Sequence, residues 1–176
     1  MIDQQVVDSL GQLTDQELSR VLSRCCSSTA WVDRVVAQRP YADGIDLHVA
    51  ADRAFNALSE PDWLEAFAGH PKIGDIDQLR IKFGGDKLWS KTEQSQIARA
   101  DERTLASLVQ QNGAYERKFG FIFIVCATGK SAEQMCDLLN TRLGNDRQTE
   151  IGNASAEQRK ITHLRIDKLQ PDFALS

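Results

Sequence analysis

The sequence contains little of what a metal site, a disulfide framework or a membrane span requires. Its 176 residues include only three histidines and four cysteines, and no two cysteines form a C-x-x-C motif. We therefore expect no metal, and we expect the cysteines to be reduced and mostly buried. No apolar run approaches the roughly 18 residues that a membrane-spanning helix needs, so we expect no membrane association.

The charge balance and the first residues argue against two further classes of protein. The chain has 21 Lys and Arg against 25 Asp and Glu, a net charge of −4, whereas nucleic-acid-binding domains usually carry a basic surface. The opening residues Met-Ile-Asp-Gln-Gln lack the basic and apolar regions of a secretion signal. We expect no nucleic-acid partner, a cytoplasmic location, and a single domain over residues 1–176.

Helical patterns dominate the chain and predict an all-α fold, a multi-helix bundle. Capping residues precede apolar residues at helical spacing at positions 14–17, 28–29, 59–62, 90–93 and 131–134. We predict that Asn112-Gly113 ends the helix that begins at Ser90, and that the last long helix runs from about Asp146 to Leu169. Residues 71–89 are the best candidate for a loop. The apolar run 121–126, taken alone, predicts a buried strand, although six residues also fit the start of a helix.

Gly129-Lys130-Ser131 follows this apolar run and resembles the end of a phosphate-binding loop. The full pattern requires a glycine five residues before Gly129, where this chain has Ile124. A turn followed by a helix cap is therefore favoured over a nucleotide-binding module.

His70 lies just after an apolar helix and has two interpretations. It is either a helix C-terminal cap or a proton donor and acceptor, because the negative end of the helix dipole favours the imidazolium form. His48 and His163 fall inside predicted helices, and we interpret them as surface or satisfied histidines.

Ser90 and Glu93 also have two interpretations. They form a capping box, or they offer a helix N-terminus and a carboxylate to a substrate. Arg165 shares a helical stripe with Ala154, Gln158 and Ile161. It either has a structural partner at the rim of the core or binds an anion, whereas Arg142 is interpreted as structural.

Several motifs, in order along nearly the whole chain, resemble the 2-oxo-4-hydroxy-4-carboxy-5-ureidoimidazoline (OHCU) decarboxylase family. They are Ala30-Trp31-Val32, Arg39-Pro40-Tyr41, Asp62-Trp63-Leu64 with Ala66-Phe67, His70-Pro71-Lys72-Ile73-Gly74, Ser90-x-x-Glu93-Gln94, Tyr115-x-x-Lys118-Phe119-Gly120-Phe121, Arg142-Leu143-x-Asn145-x4-Glu150 and Lys160-Ile161-x-His163-Leu164-Arg165. Ile122 stands where the family usually has proline.

The resemblance implies an all-α homodimer that needs no cofactor and converts OHCU to (S)-allantoin, the last step of urate degradation. It implies that His70 is the catalytic acid/base and that Glu93 belongs to a substrate-binding segment, and we expect Glu93 to orient His70 and to bind the ureido group. It further implies substrate contacts from Pro71, Ser90, Gln94, Arg165 and the segment Phe123, Ile124, Val125, Cys126 and Ala127, the segment through its main chain.

The chemistry of OHCU suits these residue types. The substrate carries a carboxylate and a hydroxyl on one carbon, next to a ring C=N that accepts the electron pair left by carbon dioxide, so no external electron sink is required. The alternative function is that of a catalytically inactive family member acting as a binding or scaffold module.

Overall fold

Helices make up the regular structure of the chain. The computed structural model describes residues 2–71 and 91–172, and for residues 91–101 it describes the backbone alone. Within these residues no strand is present, so the predicted all-α fold is confirmed. The helices there are α1 (Gln4–Gln12), α2 (Asp15–Cys25), α3 (Thr29–Val36), α4 (Gly44–Asn56), α5 (Glu60–Ala68), α6 (Lys91–Phe119), α7 (Ala132–Leu143) and α8 (Arg147–Asp167).

Predicted caps begin several of these helices. At α2 the Thr14 amide donates to the Glu17 carboxylate at 2.9 Å, and at α7 the Ser131 amide donates to the Gln134 side chain at 2.9 Å. Ser28 accepts from an amide in the first turn of α3. Each contact satisfies an amide that has no partner inside its helix, which is why local sequence was sufficient to predict these starts.

Two local predictions are wrong. Helix α6 continues through Asn112-Gly113 to Phe119, because a helical glycine costs only about 1 kcal/mol relative to alanine and the next turns bury Tyr115 and Phe119. Residues 122–127 form neither strand nor helix. The apolar run did predict burial, since Phe123 and Ile124 are buried, but burial alone does not supply a neighbouring strand.

Helix α1 was not predicted. The Asp3 side chain accepts from the Gln5 amide at 2.8 Å and caps the helix, and Val6, Val7 and Leu10 are buried on one face. The signal was therefore present, as an N-cap followed by apolar residues at helical spacing.

The described chain divides into two compact units. The first unit contains Met1–His70, Ile124–Cys126 and Ile151–Ser176, and the second contains Pro71–Phe123 and Ala127–Glu150. The prediction of a single domain stays a prediction. The loop predicted at residues 71–89 falls almost entirely outside the described residues.

Aromatic side chains from three helices form the core of the first unit. Helix α3 packs against α2, α4 and α5. The Phe55 ring lies 5.3 Å from that of Trp31 and stacks on that of Trp63 at 5.2 Å. The indole N–H of Trp31 donates to the Ala51 carbonyl at 3.1 Å, so the polar atom of this buried ring is satisfied.

A closed group of polar side chains lies in the second unit, where α6 packs against α7. We call Tyr115, Arg142, Asn145 and Glu150 the Glu150 cluster. The Glu150 carboxylate is fully buried and accepts from Arg142 at 2.8 Å, from Asn145 at 2.7 Å and from the Tyr115 hydroxyl. The structural interpretation of Arg142 is confirmed, because its charge is neutralised inside the unit.

Candidate active site

The end of α5 determines where His70 lies. Gly69 follows the helix as its C-cap, and the His70 amide donates to the Phe67 carbonyl at 3.1 Å. A Cβ atom at Gly69 would overlap the side chain of Ser27, so this close approach requires glycine. The imidazole of His70 therefore starts from a fixed position beside α2.

The His70 ring is held by a side chain from α8. Its Nε2 lies 2.6 Å from Oε1 of Gln158, and Gln158 is fully buried. His70 is only partly buried. The ring is thus fixed on one side by a buried amide.

The environment of His70 favours the neutral imidazole. Burial lowers the pKa of His70 below its ordinary value, the positive charge of Arg165 adds to this effect, and the contact with Gln158 opposes it. The effect of the helix terminus, which favours imidazolium, is therefore opposed by burial and by Arg165. A dipole effect of about 0.3–1 kcal/mol at an exposed helix end is smaller than the cost of removing a charged ring from water.

Arg165 lies near His70 and has a structural partner. Its Nη1 donates to the Cys25 carbonyl at 3.1 Å, at the end of α2. Within residues 2–71 and 102–172 this carbonyl is its hydrogen-bond partner. A guanidinium carries five N–H donors, so Arg165 retains donors for an anion, and its two interpretations are compatible.

A second contact from α8 holds part of residues 122–127, the segment that forms neither helix nor strand. The Cys126 amide donates to Glu157 at 2.7 Å, and Glu157 also accepts from Lys160 at 2.5 Å. Ile124–Cys126 belongs to the first unit with His70 and Arg165. Because Glu157 occupies the Cys126 amide, that main-chain donor is already engaged.

Some of the other predicted site residues belong to the second unit, and some lie outside the described residues. Phe123 belongs to the second unit, where its ring lies 5.3 Å from that of Tyr115 and 4.7 Å from the Arg142 guanidinium. Pro71 is exposed. Ser90 lies outside the described residues, and the side chains of Glu93 and Gln94 lie outside them too, although both residues belong to α6. Their roles, like those of Val125 and Ala127, stay predictions.

Sequence reasoning assigned no role to Gln158, Thr162 or Glu157. Gln158 and Thr162 have no exposed surface, and their spacing with Arg165 places all three on neighbouring turns of one face of α8. The available signal was a polar stripe at helical spacing on a face predicted to be buried, since buried polar groups need partners.

The other two histidines form a separate pair in the first unit. Their Nδ1 atoms lie 2.6 Å apart, while His48 contacts Asp167 at 3.1 Å and His163 contacts Asp52 at 2.9 Å. The interpretation as satisfied histidines is confirmed. Over the part of the chain that the structure describes, no group of three or more His, Cys, Asp or Glu side chains has the geometry to hold a metal ion.

The fold and the site define an all-α protein in which a neutral imidazole lies near a guanidinium. The sequence profile of the OHCU decarboxylase family matches residues 11–167. The chain therefore belongs to the OHCU decarboxylase family.

Individual relatives agree with this assignment. The chain is 34% identical over 150 residues to the uric acid degradation bifunctional protein TTL of Arabidopsis thaliana, covering 85% of this chain and 46% of that protein. It is 27% identical over 158 residues to the 2-oxo-4-hydroxy-4-carboxy-5-ureidoimidazoline decarboxylase of Amia calva, covering 88% and 86% respectively.

Solved structures are similar as well. A crystal structure of OHCU decarboxylase in the presence of (S)-allantoin superimposes with a TM-score of 0.68 and 29% identity, covering 89% of this chain and 98% of that one. Against the bifunctional relatives the chain spans less than half of their length, 46% for the Arabidopsis protein and 32% and 31% for two Bacillus proteins. Among the helices that the structure describes, none has the length and apolar character of a membrane span.

Proposed function

We propose that this chain decarboxylates OHCU to (S)-allantoin, the last step of urate degradation. Membership of the family supports the reaction, and the observation that carries the proposal is the position of His70. A partly exposed neutral imidazole at neutral pH accepts a proton readily, and Arg165 beside it supplies positive charge for an anionic substrate.

The reaction requires the bond between the ring carbon and the carboxylate to break. Carbon dioxide leaves, and its electron pair moves into the adjacent C=N of the substrate, so the substrate itself is the electron sink and we propose no cofactor. A proton leaves the hydroxyl on the same carbon as its carbonyl forms, and two protons are added, one to the ring nitrogen and one to the carbon that carries the ureido group. In our proposal His70 transfers a proton at one of these positions.

Other residues would hold the substrate. Arg165 has N–H donors for a carboxylate or a carbonyl oxygen. Glu93 and Gln94, near the start of α6, would bind the ureido group, and Ser90 and Pro71 would complete the site. The main chain of residues 123–127 would contribute through groups other than the Cys126 amide.

We also propose a homodimer in the cytoplasm, as the resemblance to the family implies. Neither a nucleic acid nor a membrane is required as a partner for this reaction. The substrate, which is small and anionic, is the partner that the charges of the site favour.

Replacing His70 tests the catalytic role. His70→Asn is expected to lower kcat by about 10²–10⁴-fold, the usual contribution of a positioned acid or base, while the protein remains folded. OHCU is generated freshly by uricase and hydroxyisourate hydrolase, and circular dichroism follows the appearance of the (S) enantiomer of allantoin.

His48→Asn is the matched control, because it removes an imidazole from the same unit but not from the site. It is expected to lose about 1 kcal/mol of stability through its lost hydrogen bonds and to keep its turnover. Normal turnover by His70→Asn would refute the assignment of His70. An inactive wild-type protein would refute the proposed reaction and favour the binding or scaffold function.

A further inference from the structure

His70 is the first group in a continuous series of hydrogen bonds within the first unit. After the 2.6 Å contact between His70 Nε2 and Gln158 Oε1, the Gln158 amide nitrogen donates to Thr162 Oγ1 at 3.1 Å. The Thr162 hydroxyl then donates to the Cys25 carbonyl at 3.5 Å. Gln158 and Thr162 are both fully buried, so bulk solvent does not reach either of them.

The last group in the series determines the direction of every bond. The Thr162 hydroxyl lies beside two groups at the end of α2, the Cys25 carbonyl and the Cys26 side chain. A carbonyl oxygen only accepts, so the hydroxyl donates towards α2 and its oxygen accepts from the Gln158 amide nitrogen. The Gln158 amide nitrogen therefore faces Thr162, and its carbonyl oxygen faces His70. Since that oxygen also only accepts, His70 must carry a proton on Nε2.

The other nitrogen of His70 is then unprotonated in the neutral ring. Among the described residues Nδ1 has no hydrogen-bond partner, and His70 is partly exposed. A lone pair on one nitrogen of a partly exposed ring, whose other nitrogen is fixed, is the arrangement of an oriented general base.

We propose that Gln158 is a positioning residue that fixes His70 as the Nε2–H tautomer, so that Nδ1 is the atom that accepts a proton from the substrate. The proposal rests on the proposed function for the identity of the proton donor. The tautomer itself follows from the hydrogen bonds alone. In this arrangement Gln158 acts through His70 and does not touch the substrate.

Among the residues that the structure describes, the acceptor in contact with the His70 ring is the side chain of Gln158. At the end of α2, burial raises the pKa values of the Cys25 and Cys26 thiols to about 12 and about 11, so both thiols are protonated at neutral pH. From α8, Arg165 only donates hydrogen bonds. Within residues 2–71 and 102–172, the side chains that shift the pKa of His70 are Gln158 and Arg165, and neither is a carboxylate.

Nitrogen NMR of the histidine side chains tests the tautomer without any substrate. At a pH where His70 is neutral, the wild-type protein is expected to show His70 protonated on Nε2. Gln158→Met, which keeps the length of the side chain but removes the acceptor, is expected to give a mixture of both tautomers. His70→Asn assigns the resonances.

Thr162→Val tests the direction of the series. It removes the hydroxyl that holds the Gln158 amide in place, so the amide is free to turn and a mixture of tautomers is expected at nearly unchanged side-chain volume. A wild-type ring protonated on Nδ1 would overturn the proposal, and so would a pure Nε2–H tautomer in Gln158→Met.

Kinetics separate positioning from a structural role. Gln158→Met is expected to lower kcat by about 10- to 100-fold, with a smaller change in KM, as losses of partners that orient a reacting histidine generally do. Gln158→Glu keeps the acceptor and adds a charge that favours imidazolium. The acidic limb of its kcat/KM profile is expected to move to higher pH, with more turnover retained than in Gln158→Met.

The outcomes distinguish this inference from the proposed function. If the wild-type protein does not turn over OHCU while NMR shows the expected tautomers, the reaction is wrong and the role of Gln158 in fixing the ring stands. If the wild-type protein is active and Gln158→Glu leaves the pH profile unchanged, the positioning role is wrong and the reaction stands.

Discussion

Helix α8 contributes buried polar residues to two groups of hydrogen-bonded side chains, the Glu150 cluster and the series at Gln158. The two groups differ in whether a polar atom is left without a partner among the described residues. In the Glu150 cluster a buried carboxylate is surrounded by a guanidinium, an amide and a phenol. In the series at Gln158 a buried neutral amide connects Thr162 to a ring that is partly exposed. The first cluster is closed, whereas the second ends at a nitrogen that has no partner among the described residues.

This difference separates a structural role from a chemical one. In the closed cluster every charge has its counter-charge inside the unit, so its polar groups serve the stability of the fold. In the series at Gln158, one nitrogen of a titratable ring and part of a guanidinium have no partner within residues 2–71 and 102–172. Burial of polar residues therefore does not by itself indicate a site, and the partly exposed end of the series is where we propose it.

Breaking the Glu150 cluster is expected to have the largest effect on the free energy of unfolding. Glu150→Ala leaves the Arg142 guanidinium buried without its carboxylate, and we expect a loss of about 3–5 kcal/mol in the free energy of unfolding. Chemical denaturation followed by circular dichroism measures this loss.

Gln148→Ala, an exposed position in the same turn of α8, is the control and is expected to change stability by less than about 0.5 kcal/mol. A loss below about 1 kcal/mol for Glu150→Ala would show that the cluster is not the stabilising element described here.

The open series predicts a pH dependence of stability. Burial and Arg165 lower the pKa of His70 in the folded protein relative to about 6.5 in the unfolded chain. As the pH falls through 6.5 the unfolded state binds the proton first, so stability is fully present above this pH and is lost as the pH approaches the folded pKa.

The measurement is the difference in unfolding free energy between wild type and His70→Asn, determined from pH 7.5 down to 5. We expect the wild-type protein to lose unfolding free energy relative to His70→Asn as the pH falls, by no more than about 1.4 kcal/mol per pH unit. A shift in the opposite direction would mean that the folded protein favours imidazolium.

The smallest effect on stability is expected for a substitution at Gly152, which lies between Glu150 and Gln158 in α8. It is exposed, and a Cβ atom there would meet nothing within 4 Å. Gly152→Ala is expected to stabilise the protein by about 0.4–1 kcal/mol, by restricting the unfolded chain, and to leave turnover unchanged.

Gly129→Ala makes the contrasting measurement, because Gly129 has a φ of 76° that alanine adopts only with strain. It is expected to destabilise the protein. A drop in turnover for Gly152→Ala would show that the two clusters are coupled through the helix between them.

Much of the fold was predictable because helix starts depend on local contacts. Thr14, Ser28 and Ser131 bind amides within three residues of themselves, so the sequence pattern is sufficient. The predicted end of α6 at Gly113 was wrong because the burial of Tyr115 and Phe119 is a tertiary effect that exceeds the low helix propensity of one glycine.

The site was predictable only in part. His70 and Arg165 were identified from their positions and from the resemblance to the family. The role of Gln158 depends on a contact with a residue 88 positions away in the sequence. His48 and His163, 115 positions apart, likewise meet only in the folded chain, and no spacing rule predicts such pairs.

The sequence by itself determined the all-α class, most helix starts and the family of the chain, because these depend on local hydrogen bonds, apolar periodicity and ordered motifs. Only the tertiary structure decided that the pKa of His70 falls and that its ring meets a buried amide. The physical reason is that desolvation and long-range contacts arise when separate segments pack together. The helix terminus, considered alone, indicated only a small effect on the pKa of His70, in the opposite direction.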